Sequence, residues 1–244
     1  MELTLKPTDS SRPRDPIALL RSRLKSIEKV RAYPDGLVEF PFELTGRGFF
    51  PGGDGLWREQ SALHEAATHL YPIDGIMFVG QDFGSVTKYP RPKCPWENNN
   101  ATWKFLTKRI EKSGIPGESC FFTNSLLGLR KEGSTEGQNP CISNSDYMDI
   151  CREFLAYQIE TIDPRLIVIF RSVPEDSYLP LLFERTCYKS NSNISRALCV
   201  GRKRLILQTQ HPRSDSGVIT KGPLNYNARC GDLAQAWALA NPPA

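Results

Sequence analysis

Four short apolar runs punctuate the chain, at Ile76–Val79, Cys120–Asn124, Leu166–Phe170 and Arg204–Gln208, the first three passing straight into polar or turn-forming residues and the last ending on one. Runs of this length bounded by turn residues read as buried strands. The purest of them, LIVIF at Leu166–Phe170, is apolar on both faces, as a central parallel strand must be. Between the runs the pattern changes to helical spacing. Ile17, Leu20, Leu24, Ile27 and Val30 recur along one stripe after Asp15-Pro16, a good helix start, while Arg21, Arg23, Lys25 and Lys29 populate the opposite face. Further helices are expected at Leu56–Leu70 and at Thr102–Ser113, which carries Lys104, Lys108, Arg109 and Lys112. A long helix capped by Ser145 or Asp146 should run to about Ile162, with Met148, Cys151, Phe154, Leu155 and Ile159 as its apolar stripe and Pro164 beyond its end. A short helix is expected at Leu179–Phe183, and a closing one at about Tyr226–Ala240.

Strands alternating with helices imply βαβ units and a parallel sheet covered on both faces. The expected architecture is α/β: a single-domain αβα sandwich around a central four-stranded parallel sheet. Residues 71–244 would form this domain, residues 15–70 a helical extension packed on its core, and residues 1–14 a flexible tail. The long segments Tyr33–Gly55, Ser85–Asn100 and Lys131–Asn144 read as loops.

Composition narrows the picture. With 244 residues, 39% of them hydrophobic, the chain can bury one sizeable core. No apolar run approaches the roughly 18 residues of a membrane span. The polar start MELTLKPTDSSRPRD lacks the apolar centre of a signal peptide, so an intracellular, cytoplasmic and non-secreted protein is expected, nucleoid-associated if bacterial. The seven cysteines are odd in number and contain no Cys-x-x-Cys pair, which favours reduced core thiols over a zinc or iron–sulfur site. A net charge of +4 permits a nucleic-acid partner without demanding one. The basic residues gather at Lys88–Lys93, Lys104–Lys112 and Arg202–Arg204, which leans towards DNA.

In a parallel sheet the segments following the strands collect along one edge, where open α/β sheets bind their ligands. Here those segments supply Gln81-Asp82, Thr123-Asn124 and Gln210-His211. Each has a plainer reading alone: Asp82 as a cap, Asn124 as a turn residue, His211-Pro212 as a turn with a hydrogen-bonded imidazole. Together a carboxylate, a carboxamide and an imidazole make a catalytic constellation.

GQDFG after the first strand, FFTNSLLGLR from the second, and QHPRSDSG after the last resemble the motifs of the uracil-DNA glycosylase superfamily, in the family's order. DYMDICREFLAYQIETIDPRLIVIF is similar to the helix and strand that link the last two, and the likeness covers about residues 73–240. It implies base excision: a damaged base is flipped out of single- or double-stranded DNA and its N-glycosidic bond hydrolysed by a monomeric enzyme without cofactor or metal. By that resemblance, Asp82 positions the attacking water and stabilises positive charge on the sugar, while His211 donates to the base oxygen as the bond breaks. Asn124 would read the paired N–H and C=O of a uracil edge. Gly80, Gln81, Phe83 and Gly84 would line the base site. Trp96 would stack on the base, unless it is a core or loop anchor or Phe83 takes that part. Arg213, Ser214 and Ser216, with Lys88 and Arg91, would meet the DNA. The chain departs from the family's pattern at Phe83, where proline is usual, and at Gly84, where the most uracil-selective members place tyrosine; a looser pocket is implied. Of the cysteines that hold a cluster in some branches, only Cys151 has a counterpart. Two rivals share these residues: a DNA-binding module without turnover, and an enzyme acting on free nucleosides or nucleotides.

Overall fold

A computed structural model describes residues 16–30, 32–39, 74–86, 101–131, 139, 141–187, 194–212 and 223–242. The helix at Leu56–Leu70, and Trp96, Lys88, Arg91, Arg213, Ser214 and Ser216, lie outside the described residues.

Helix α1 spans Pro16–Val30, and strand β1 is the short Leu37–Val38. Then come β2 (Ile76–Gly80), α2 (Ala101–Lys112), β3 (Cys120–Asn124), β4 (Leu129–Arg130), α3 (Ser145–Ile162), β5 (Leu166–Phe170) and the one-turn α4 (Glu175–Tyr178). The chain closes with β6 (Leu182–Cys187), β7 (Ile194–Cys199), β8 (Arg202–Thr209) and α5 (Pro223–Ala240). The main sheet has six strands in the order β3-β2-β5-β8-β7-β6. Its first four are mutually parallel, and β7 and β6 extend it antiparallel.

The fold is thus mixed α/β with a mostly parallel sheet flanked by helices, and two strands larger than expected. The added pair was hidden because LFERTC and ISRALC carry charges mid-run and lack a clean alternation. The expected helix at Leu179–Phe183 is instead a single 3₁₀ turn, Leu179–Leu181, running into β6. The central strands behave as their composition demands: every residue of β2, β3 and β5 is buried.

Two hydrogen bonds identify the helices on one face of the sheet. Thr123 Oγ1 donates to Gln158 Oε1 of α3 at 2.5 Å, and Gln208 Nε2 to the Tyr178 hydroxyl of α4 at 2.6 Å. On the other face lie α2 and α5, joined by Ser113 Oγ donating to Cys230 O at 3.0 Å. Helix α3 is capped by Asn144, ahead of both expected candidates Ser145 and Asp146, its side chain accepting from Tyr147 N at 2.9 Å. Asp163 in the left-handed region ends it.

Helix α1 docks on α3 through buried Leu20, Leu24 and Ile27. Arg23 beside them pairs with Glu153 at 2.6 Å and lies over the Tyr157 ring. These apolar side chains belong to the same core cluster as the sheet. A second contact ties in the N-terminal segment. β1 pairs antiparallel with β4, matching Leu37 to Arg130 and Val38 to Leu129, and Lys131 N donates to Gly36 O at 2.8 Å. Gly128, at φ +75°, passes so close that a Cβ there would sit 2.8 Å from Val38 O.

Candidate active site

The chain leaves β2 for β3 on one side and later places β5 and β8 on the other, so the strand order reverses between β2 and β5. Such a switch point opens a crevice at the carboxyl ends of the strands. Register partners share a face, and Gly80 pairs with Asn124, Val79 with Ile169, and Phe170 with Thr209. The last row on one face therefore reads Asn124, Gly80, Phe170, Thr209. Gly80 contributes no side chain to it, which leaves a notch between Asn124 and Phe170 about two strand spacings, or about 9–10 Å, across.

Aromatic rings form the ground beneath and beside this notch. Phe78 and Phe122 stack at 5.4 Å, and Phe78 meets Phe170 at 6.3 Å. His211 stands edge-on to Phe170, 5.5 Å between centroids. It is half-buried, whereas Asn124 is 1% exposed and its Nδ2 is buried without any hydrogen-bond partner. Leaving such a donor unpaired costs about 1–3 kcal/mol; Arg23 Nε, Ser195 Oγ and Arg204 Nε are likewise buried without a partner, but of the four only Asn124 Nδ2 lies at the carboxyl edge of the parallel strands.

Asp82 follows two residues after β2. Its Oδ2 accepts from Arg130 Nη2 at 2.5 Å and Nε at 3.0 Å, with Asn139 Nδ2 at 3.4 Å. Its Oδ1 accepts from the Gly84 amide at 3.2 Å. The two charged side chains are 8% and 6% exposed, so this is a buried ion pair. The loop carrying Asp82 is stitched down by its backbone: Ser125 N donates to Gly80 O, Leu126 N to Gln81 O, Arg130 N to Gly84 O, and Val86 N to Arg130 O, each at 2.9 Å. Gly84 makes the return possible at φ +88°, a conformation that glycine tolerates. With its carboxamide oriented to suit both neighbours, Gln81 donates to Ser172 O at 3.1 Å and accepts from Asn139 N at 3.3 Å, bridging the switch point. Phe83 is buried in the core.

The segment after Asn124 is held from α3. The Tyr147 hydroxyl donates to Leu127 O at 2.8 Å, and Leu127 N donates to Cys151 Sγ at 3.4 Å. Burial pushes the Cys151 thiol up to about 12, against the opposing hydrogen bonds from Leu127 and Tyr147. It is a neutral packing group and acceptor here. Cys120, Cys141, Cys151, Cys199 and Cys230 are all buried free thiols.

Behind His211 lies a residue that the sequence assigned to a basic surface. Arg109 is 1% exposed, and its Nη1 donates to Gln210 O at 3.0 Å and lies 3.5 Å from Thr209 Oγ1. Arg204 is likewise buried, and Arg202 pairs with Asp74 and Asp163 at the opposite end of the sheet. Arg109 and Arg204 are therefore not the surface charges expected, whereas Arg202 is 41% exposed and paired with two carboxylates.

Asp82, Gly80, Gln81, Gly84, Asn124 and His211 thus gather at one sheet edge. Arg130, Asn139, Arg109 and Phe170 join them unannounced. The only sequence trace of Arg130 is a cation ending the otherwise apolar SLLGLR, and a buried role cannot be told from a surface one by that. Compared with known proteins, the chain matches no protein-family model and no curated protein sequence.

Proposed function

We propose that the chain is a monofunctional DNA glycosylase that hydrolyses the N-glycosidic bond of uracil or another deaminated base flipped out of DNA. In this reading the sheet and its helices form the αβα sandwich of the uracil-DNA glycosylase type, extended by β7 and β6. The observation that carries the proposal is the orphaned Asn124 carboxamide beside the Gly80 notch. A planar heterocycle offering a carbonyl oxygen would satisfy that donor while resting against aromatic rings.

Hydrolysis adds water across the bond. The water oxygen bonds to C1′ of the sugar, and the glycosidic electron pair departs with the base. The water's proton ends, through solvent, on the released base. Asp82 contributes a fixed negative charge opposite the cationic sugar of the transition state. His211 donates to the base oxygen on which negative charge collects. The Arg109 guanidinium behind the Gln210 carbonyl holds the peptide from which His211 projects.

An oligonucleotide containing one uracil, hypoxanthine or xanthine, incubated with the protein and then treated with alkali, should break at the lesion. Equal inertness of wild type and Asp82→Ala on all three would refute the proposal. One observation favours a second reading, that of a DNA-binding module without turnover: the Asp82 carboxylate is engaged by Arg130 rather than standing free. Salt-sensitive binding to lesion DNA with no abasic product would establish that module instead.

A further inference from the structure

We infer that Arg130 is the positioning residue of this site: it grips Asp82 by Oδ2 and thereby leaves Oδ1 as the oxygen presented to the attacking water. The inference rests on the glycosylase reading above and deepens it.

The two carboxylate oxygens of Asp82 are unequal. Oδ2 takes two N–H bonds from one guanidinium, at 2.5 and 3.0 Å, and a longer one from Asn139. A carboxylate oxygen has room for about two strong donors, so Oδ2 is saturated. Oδ1 takes one bond, from the Gly84 amide at 3.2 Å, and keeps capacity for a further donor. A water bound there is a donor.

Two contacts from one planar group also fix the carboxylate's rotation, which a lysine's single point of charge would not do. Arg130 is itself anchored independently of its side chain. Its N–H donates to Gly84 O, its carbonyl accepts from Val86 N, and its strand pairs with Leu37 of β1. The carboxylate therefore takes its orientation from the β1–β4 ribbon as well as from its own loop, which gives the N-terminal segment a part in the site. Asn139, whose Oδ1 accepts from Cys141 N at 2.9 Å, closes the arrangement from the α3 side.

The chemical consequence concerns what Asp82 does. A carboxylate clamped by a guanidinium serves as a fixed charge and an acceptor for the water, and Arg130 acts only through it. A double-mutant cycle on single-turnover excision tests this, using whichever of the three lesions the wild type excises. Arg130→Gln should slow excision about 10²-fold while changing the dissociation constant for lesion DNA less than about threefold. Asp82→Asn should be slower still, and Arg130→Gln added to it should slow the reaction no further. Arg130→Lys, which keeps the charge without the fork, should recover part of the rate. Thermal unfolding of each variant accompanies the kinetics. If Arg130→Gln alone does not fold, the Arg130→Lys and Asp82→Asn/Arg130→Lys pair completes the same cycle. Multiplicative losses, or an unchanged rate in Arg130→Gln, overturn the inference while leaving the glycosylase reading intact. A wild type inert on every lesion removes both.

Discussion

The two ends of the parallel strands each hold carboxylates paired with arginines, and they are built to opposite specifications. At the amino end, Arg202 pairs with both Asp74 and Asp163, and Arg204 pairs with Asp163 at 3.0 Å. Arg165 adds a longer contact to Asp74 at 3.7 Å. Asp74 and Asp163 both sit at positive φ, 61° and 49°, where the chain turns sharply near β2 and β5. Arg202 is 41% and Asp74 35% exposed on their side chains, so water screens most of this network. At the carboxyl end the pair Asp82–Arg130 is almost wholly buried, and Asn124 Nδ2 stands unpaired on the same sheet edge. The amino end is a latch that shares its charges among several partners. Each end also holds a buried nitrogen without a partner, Asn124 Nδ2 at the carboxyl end and Arg204 Nε at the amino end, so the two differ in the burial of their charged pairs rather than in unused hydrogen-bonding capacity.

The sharpest way to break this contrast is to remove one carboxylate from each end. Asp82→Ala should lower single-turnover excision by about 10²–10⁴-fold, whereas Asp163→Ala should leave that rate within about twofold. Comparable losses in both would end the distinction between site and latch. Next in size is Arg204→Met. Arg204 is 2% exposed and also donates to the Cys199 and Val200 carbonyls, so its removal uncovers buried acceptors. A loss of about 2–3 kcal/mol, seen as a drop of roughly 4–12 °C in Tm, is expected with catalysis retained.

Among the buried thiols, Cys199 lies beside the amino end and Cys151 behind the carboxyl end, and pH separates these two. Burial lifts Cys199, beside the amino end, to about 11 despite the opposing Arg204 charge, and Cys151, behind the carboxyl end, to about 12. A raised thiol binds its proton more tightly in the folded state. Its stabilisation is therefore complete below the ordinary value of 9.0 and is lost as pH rises through the folded value. Urea unfolding between pH 8 and 11 should show stability falling above pH 9, by at most about 1.4 kcal/mol per pH unit for each thiol. Cys199 should become reactive towards a thiol reagent at lower pH than Cys151.

Asn124→Leu is expected to raise stability by about 1 kcal/mol, near 2–4 °C in Tm, because it removes an unpaired buried donor. The same change should abolish excision. A stability gain paired with loss of function is the signature of a site held open against the folding free energy. The smallest effect belongs to Arg202→Ala, where an exposed pair should cost no more than about 1 kcal/mol and leave activity untouched.

Legibility followed the same division. Strands β3 and β5 were readable to the residue, β5 because it is apolar on both faces and β3 because its apolar start runs directly into turn-forming residues. Helices α1 and α3 were readable from their stripes, with the α3 cap placed at Ser145 or Asp146 instead of Asn144, since all three are competent caps. Strands β6 and β7 were not readable, because at the antiparallel edge of the sheet charge interrupts the apolar pattern. Within the site, Asp82, Asn124 and His211 could be proposed together because parallel strands deliver their ends to one edge. Arg109, Arg130 and Arg204 could only be misread or missed. An arginine's sequence context does not say whether its charge meets water or a partner distant along the chain.

What the sequence by itself determined is the set of apolar runs and helical stripes, and with them a parallel sheet whose carboxyl edge gathers Gln81-Asp82, Asn124 and Gln210-His211. Local patterning suffices for that, since burial imposes periodicity on every residue of an element. The tertiary structure alone decided the partners. It set Arg130 on Asp82 across 48 positions and Arg109 on the Gln210 carbonyl across 101, and it left Asn124 Nδ2 unpaired beside Gly80. Those pairings depend on register and on buried charge finding its complement in space, quantities that no local stretch of residues carries.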